Sequence, residues 1–335
     1  MNKAENVHIV YCSNENYMLP TLVSAGSACV FATAENPFVI HLIDSGVDDG
    51  TYDDFERRLT ALNPFVSVVR HRWKDQEYEA YPAWHGSRVI YARLSIQDLL
   101  KDVDWAISLD GDTLWTGSPV RLMRLRDEHC LFLASEDPQP PGVTLAPNKW
   151  FKEHKLAIRP KESFCAGLML LNLRDLRKFD FTKKAKEFLA RYPDPPCPEQ
   201  MVMSYLCLGR ARALPKEWGV FSIYHTQVNL ANGGLVHYVS DAPWRRNERN
   251  KILSDIVMLW YAFAKEFLGM HLLLKYCKVQ DVIAKRAVYL VLKAFYPILR
   301  SRPWVEKRWH NLAGLSRREL RIIKAEWRKG CIYAA

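Results

Sequence analysis

No two of the eight cysteines form a Cys-x-x-Cys pair, which argues against a zinc ribbon or a redox dithiol. Scattered singly through 335 residues, they read as reduced thiols of a cytoplasmic protein, not as a disulfide framework. No apolar stretch reaches the ~18 residues that a membrane-spanning helix needs. The longest, around 256–264 and 267–274, are separated by Lys265 and Glu266. A basic-then-apolar leader is missing too: Met1-Asn-Lys-Ala-Glu5 runs straight into a strand pattern, as expected of a protein kept in the cytoplasm. There are no internal repeats and no low-complexity segments. With 49% hydrophobic residues, the chain can bury a core for one or two domains.

Acidic residues are scarce in one place. From Arg245 onward 20 Lys+Arg stand against 7 Asp+Glu, whereas residues 1–244 hold 27 and 30. The net charge of +10 therefore belongs to the C-terminal quarter, and any partnership with an anionic surface is made there. A nucleic-acid module would also use that charge, but neither a zinc finger nor a stacking platform accompanies it, so nucleic acid is not an expected partner.

The central stretch is Trp105-Ala-Ile-Ser-Leu-Asp110-Gly-Asp112-Thr-Leu-Trp115. Its apolar run predicts a buried strand that delivers two carboxylates at a glycine-hinged turn. Asp110 and Asp112 stand at i and i+2, so an extended backbone aims both the same way. Gly111 is expected to bend the chain and to keep the space above the turn clear. Hard oxygen ligands of this kind suit Mg²⁺ or Mn²⁺ carrying a nucleotide's phosphates. A bare Asp-x-Asp turns up about once by chance in a chain this long. A second one, Asp102-Val-Asp104, has no strand before it and reads as a solvated turn.

The rest of the chain supplies context. Strands are predicted at Val7–Cys12, Phe38–Ile43, Val66–Val69, Leu131–Ser135 and Phe164–Asn172. Helices alternate with them: Tyr17 to Phe31, one carrying Tyr52, Phe55 and Leu59, and one capped by Ser87 with Ile90, Leu94 and Leu99. This alternation argues for an α/β fold with a mostly parallel central sheet. Asn14, Asn16, Asp44 and Asp110 all fall at strand carboxyl ends, where such sheets bind ligands. Residues 138–162, rich in Pro and Lys, read as a long loop over the site.

These pieces together resemble glycosyltransferase family 8, retaining enzymes that use sugar nucleotides on a GT-A fold. The resemblance covers residues 7–244. It rests on Val10-Tyr-Cys-Ser-Asn14-Glu-Asn16-Tyr17, Tyr91-Ala-Arg93-Leu94, Leu109-Asp110-Gly-Asp112, Phe164-Cys-Ala-Gly167, Glu199-Gln200, Leu214-Pro-x-x-Trp218, and His237-Tyr238 with Pro243-Trp244. It implies a GT-A, Rossmann-like catalytic domain over 1–244; the charge count and helical spacing mark 245–335 as a separate basic helical region. The resemblance also implies a metal site of Asp110, Asp112 and His237 for Mn²⁺ (or Mg²⁺), with a UDP-sugar donor, UDP-galactose or UDP-glucose. Arg93 is implied near the donor diphosphate, and Asn14 and Asn16 at the uracil and ribose. Asp137 and Glu199 are implied at the donor sugar, and Gln200 beneath its anomeric carbon. The implied acceptor is a glycan or glycolipid, of the lipopolysaccharide type or another cell-surface glycan.

The chain departs from the family pattern in places. Asn14 stands where an aspartate is usual, Cys165 where an asparagine is, and Ala242 where a lysine precedes Pro-Trp; Arg245 or Arg246 can replace that cation. The alternatives are an inactive sugar-nucleotide-binding homologue and an Asp-x-Asp phosphotransferase. The latter requires Thr or Val where this chain has Leu114, and a calcium loop fails at the same position.

Beyond Trp244, Ile256, Leu259, Trp260, Phe263 and Phe267 recur at helical spacing. A second helix is predicted at Val279–Phe295, and a third opens on the capping box Ser316-Arg-Arg-Glu319 and carries Leu320, Ile323 and Trp327. Apolar faces opposite Lys and Arg suit the surface of an anionic bilayer. The tail is thus expected to bring the protein, as a peripheral one, to the inner face of the bacterial plasma membrane.

Overall fold

The computed structural model describes residues 5–83, 86–136, 146–159, 162–221, 230, 233–239, 242–245, 253–299, 301–302 and 315–332. Ten strands are described: β1 (Val7–Ser13), β2 (Phe38–Asp44), β3 (Val66–Arg72), β4 (Trp105–Leu109), β5 (Thr113–Trp115), β6 (Phe132–Glu136), β7 (Phe164–Asn172), β8 (Ala211–Ala213), β9 (Val220–Phe221) and β10 (Leu235–His237). Seven of them form one sheet in the order β3-β2-β1-β4-β7-β6-β8, and β5-β10-β9 form a small second sheet.

The large sheet is mostly parallel. Only β7 runs against its neighbours, pairing antiparallel with both β4 and β6. The central strands β4 and β7 are buried at every position, which is why they read as unbroken apolar runs instead of alternating ones. β3 lies at the edge and carries Arg70, His71 and Arg72, charge that discourages further strand addition. The reversal of β7 matters for function. Its entry, Phe164-Cys-Ala-Gly167, lies at the same edge of the sheet as the exits of β1, β2 and β4. Asp110 N–H donates to Gly167 O at 3.1 Å, stitching the two ends together.

Two local expectations change. The segment after Ser87 starts as expected, with Val89 N–H donating to Ser87 Oγ at 3.2 Å. It then winds as a 3₁₀ helix, Val89–Ser95, before a short α-helix at Ile96–Leu99. Val89, Tyr91, Ala92, Arg93 and Leu94 are all buried, so no single α-helical face is offered, and the tighter winding packs them all round. Within 138–162, Ala146–Glu153 forms a helix that buries Trp150 and Phe151. Pro147 sits in its first turn, where a missing N–H costs nothing; the proline that suggested a loop marks a helix start.

At the C-terminal end, a helix at Asp255–Leu268 is capped by Ser254 and closed by Gly269 in the left-handed region, φ 66°. Its Ile256, Leu259, Trp260 and Phe263 are buried in the core shared with the sheet. The capping box forms as written: Glu319 N–H donates to Ser316 Oγ at 3.1 Å and Ser316 N–H to Glu319 Oε2 at 2.8 Å. Ile323 and Trp327 of the Arg317–Ile332 helix are buried too, and Trp327 Nε1–H donates to Trp115 O at 2.8 Å. The apolar faces expected to meet a membrane in these two helices therefore pack inward. Each fully buried aromatic of this kind contributes roughly 1.5–3 kcal/mol. The long helix between them, Val279–Leu299, behaves differently. No described helix is long and apolar enough to cross a membrane.

Candidate active site at the strand exits

The acidic turn follows β4 directly, and hydroxyls pin its backbone. Thr113 Oγ1 donates to Asp110 O at 2.9 Å and lies 2.6 Å from Ser24 Oγ, which in turn is 3.0 Å from Tyr11 Oη. Gly111 does not serve as a left-handed hinge, since its φ is outside that region. A Cβ there would strike Thr21 of the Met18–Cys29 helix, with Thr21 Cα at 3.3 Å and its hydroxyl nearer. The glycine admits a helix instead of leaving open space.

His237 reaches the turn through the second sheet. β10 pairs antiparallel with β5, setting His237 opposite Thr113, and Tyr238 N–H donates to Asp112 O at 2.8 Å. The His237 Nε2 atom lies 3.1 Å from Asp112 Oδ1 and 3.4 Å from Asp110 Oδ2. One ligand atom from each of the three residues falls within 4.8 Å of the others. Asp112 Oδ1 is buried and faces His237 Nε2, a carboxylate oxygen turned into the cluster. Two carboxylates and an imidazole of this geometry fit a divalent cation such as Mn²⁺.

Behind the ring stands Gly167, at which a Cβ would be 2.5 Å from His237 Nδ1 and closer to Cε1. Cys165 hydrogen-bonds with the His237 side chain, and its Sγ accepts from Gly167 N–H at 3.3 Å. The thiol is thus turned to the histidine and its own strand. Burial alone would lower the imidazole's pKa, but the Asp112 charge and hydrogen bonds to both aspartates raise it well above the ordinary value. That electrostatic demand for a cation is one a metal ion also meets.

Arg93 is 4% exposed. Its guanidinium forms an ion pair with Asp110 and another with Glu199 Oε1 at 3.3 Å. Burial would raise Asp110, yet Arg93, with His237, holds its carboxyl well below the usual range. Burial pushes Glu199 up, with Arg93 opposing. The structure thus brings Asp110, Asp112, His237, Arg93 and Glu199 into one charged cluster. Gln200, in the first turn of the Pro198–Leu206 helix, accepts from Ala166 N–H through Oε1 at 3.4 Å, which ties it to the entry of β7.

Asn14 stands at the end of β1 with its Oδ1 buried and without a hydrogen-bond partner among the described residues, an acceptor ready for a ligand N–H. Asn16 is exposed on the following 3₁₀ turn. Tyr17 packs edge-on to Trp244, with ring centroids 6.1 Å apart. Its phenol is pushed up to about 12 by burial, with Asp112 adding to the effect and Arg245 opposing it. Arg245 is thus near the cluster; Arg246 and Asp137 lie outside the described residues. Asp44, at another strand end, is structural: it accepts from Val47 N–H at 3.1 Å and pairs with Arg70 at 2.7 Å. Asp102 and Asp104 form the exposed turn expected of them. Sequence reasoning missed the fitted surfaces, Thr21 against Gly111 and Gly167 against His237. The two glycines, one inside the acidic motif and one inside β7, were the available signal.

A Rossmann-like sheet whose strand exits present an Asp-x-Asp pair and a histidine has the layout of a GT-A glycosyltransferase. The chain belongs to glycosyl transferase family 8, whose sequence profile matches residues 8–248. General stress protein A of Bacillus subtilis (strain 168) is 27% identical over 199 residues, 58% of this chain and 65% of that protein; the chain therefore spans less than two thirds of that relative. Among solved structures, the galactosyltransferase LgtC in complex with donor and acceptor sugar analogues superposes with a TM-score of 0.62 at 18% identity, over 78% of this chain and 96% of that one. The bifunctional glycosyltransferase WbbM gives 0.63 at 17% identity, over 82% of this chain and 51% of that one. At these identities the structural likeness shows the fold.

Proposed function

We propose that this glycosyltransferase moves a hexose, galactose or glucose, from its UDP donor to a glycan or glycolipid acceptor with retention of anomeric configuration, and that it requires Mn²⁺ (or Mg²⁺). The acceptor in this reading is lipopolysaccharide or another bacterial cell-surface glycan, met at the cytoplasmic face of the plasma membrane. The observation that carries the reading is the convergence of Asp110, Asp112 and His237 at 4.8 Å or less, beside the buried acceptor of Asn14. The likeness to LgtC, a galactosyltransferase solved with donor and acceptor sugar analogues, supports the same chemistry here.

In this proposal Asp110, Asp112 and His237 would hold the cation, which would supply positive charge to offset that growing on the departing diphosphate. Asn14 accepts the uracil N–H and Asn16 contacts the ribose. Arg93 holds the Asp110 carboxyl well below its usual range and fixes Glu199 through its second ion pair. Glu199 and Asp137 orient the donor sugar. Gln200 lies beneath the anomeric carbon; an amide is a poor nucleophile, which argues against a covalent glycosyl-enzyme. The acceptor hydroxyl then attacks from the face that the diphosphate leaves. The bond from C1 to the phosphate oxygen breaks, the bond from C1 to the acceptor oxygen forms, and the acceptor proton passes to the departing phosphate. Positioning and charge stabilisation are all that the protein supplies.

The test is calorimetry of UDP binding with Mn²⁺ in wild type and Asp112→Asn, with NMR of the product's anomeric proton. Metal-dependent binding is expected to vanish in the variant and the product to be retained. Unchanged affinity would overturn the metal site, and an inverted product would overturn the mechanism. Binding without transfer to any glycan would leave a sugar-nucleotide-binding protein.

A further inference from the structure

The Val279–Leu299 helix is amphipathic the wrong way round for a helix on a soluble protein. Its inward side is polar: Arg286 and Lys293 pair with the buried Asp255, Tyr289 Oη donates to the same carboxylate at 2.9 Å, and Lys293 Nζ donates to Leu315 O at 2.7 Å. Its outward side is apolar. Ile283 is 66% exposed, Phe295 54% and Ile298 71%, with Val288, Leu290 and Val291 half exposed between them. At 100° per residue these positions, with Ala284, Ala287 and Ala294, sweep an arc of roughly 160° that no charged residue interrupts. A face of this kind, about 30 Å long, is an interaction surface and not scattered exposure.

We infer that this outward face docks the protein on an anionic lipid bilayer, lying in the interface with its apolar arc in the acyl boundary. The charge around it selects that occupant. Lys275 and Lys278 are exposed just before the helix, Arg302 just after it, and Arg317 and Arg318 at the start of the last helix. They belong to a segment with 20 basic and 7 acidic residues. Pairing two copies through this face would bring two such segments together, a repulsion that a negatively charged membrane turns into attraction. The Asp255 network holds the helix so that its apolar side faces away from the catalytic sheet. The proposal rests on the preceding reading only in placing the acceptor at a membrane; lipid binding itself is independent of transfer.

The experiment is co-sedimentation of the full chain with phosphatidylcholine vesicles, with and without phosphatidylglycerol, at low and high salt. Wild type is expected to bind the anionic vesicles at low salt and to be released by salt. Val291→Asp combined with Phe295→Asp is expected to lower the partition coefficient roughly tenfold or more. Because these side chains are exposed, thermal stability should be unchanged; Ile283→Asp with Ile298→Asp repeats the test at other positions. Wild type remaining in the supernatant overturns the proposal, as does equal binding to neutral vesicles or undiminished binding of both variants. A dimer in sedimentation velocity that the same substitutions dissociate, without vesicle binding, assigns the face to a second copy and overturns it too. Loss of sugar transfer to a water-soluble acceptor with vesicle binding intact would count against the proposed reaction and not against this surface.

Discussion

Replacing Gly167 by alanine isolates the seat of His237, the proposed metal ligand, from the histidine itself. A Cβ on Gly167 would stand 2.5 Å from His237 Nδ1 and 3.1 Å from Nε2, whereas ordinary contact lies near ~3.5 Å. The backbone cannot yield easily, because Gly167 O accepts from Asp110 N–H on the adjoining strand end. The ring must therefore move by roughly 1 Å, several times the ~0.2 Å tolerance of metal–ligand distances. The chain should lose about 1–3 kcal/mol to overpacking, a few degrees in Tm. Affinity for Mn²⁺ with UDP should fall by at least the roughly 10–100-fold that disturbing a ligand's support costs. Calorimetry and thermal unfolding on the same preparation separate the two effects. If Tm falls while metal-dependent UDP affinity stays at the wild-type value, His237 is not a ligand whose position matters, and the assignment fails.

Arg93→Lys keeps a positive charge but loses the fork that serves Asp110 and Glu199 together; transfer should fall more than about tenfold with the fold retained, and wild-type turnover would refute a bridging role. Removing the carboxylate in Asp255→Ala strands Arg286, Lys293 and Tyr289, at a cost of about 3 kcal/mol. Hydrogen exchange should then accelerate across 279–299, and unchanged protection there would show that the network does not anchor the helix. A fourth prediction concerns His41, hydrogen-bonded to His8 at 2.9 Å and to His71 at 3.0 Å, with burial first and its two histidine neighbours next pushing its pKa down to about 3. Its neutral form is favoured in the fold, so the unfolded chain binds the extra proton below about 6.5. Stability is complete above that pH and is lost as pH falls, by about 1.4 kcal/mol per unit. Urea midpoints for His41→Gln should be flatter between about pH 7 and 5 than those of wild type; parallel curves would sink the assignment.

How much of this was legible depended on whether a feature was local. The strands at Val7 and Trp105, the capping box at Ser316 and the Asp-x-Asp turn each follow from a short window of residue types. The convergence of His237 on that turn needs the pairing of β10 with β5, about 120 residues apart in sequence; only the family resemblance reached it. The reversal of β7 was not legible either, because a strand buried on both faces reads alike in either direction. The tail shows the same limit more sharply. Apolar residues at helical spacing mark a face but not what covers it, and the stripes at Ile256–Phe263 and Ile323–Trp327 are covered by the catalytic core. The Val279–Leu299 stripe differs because its cations, Arg286 and Lys293, are drawn inward to Asp255. A buried carboxylate that claims two cations of one helix turns that helix's apolar side outward. A single aspartate at the start of the Asp255–Leu268 helix thus orients a surface several turns long.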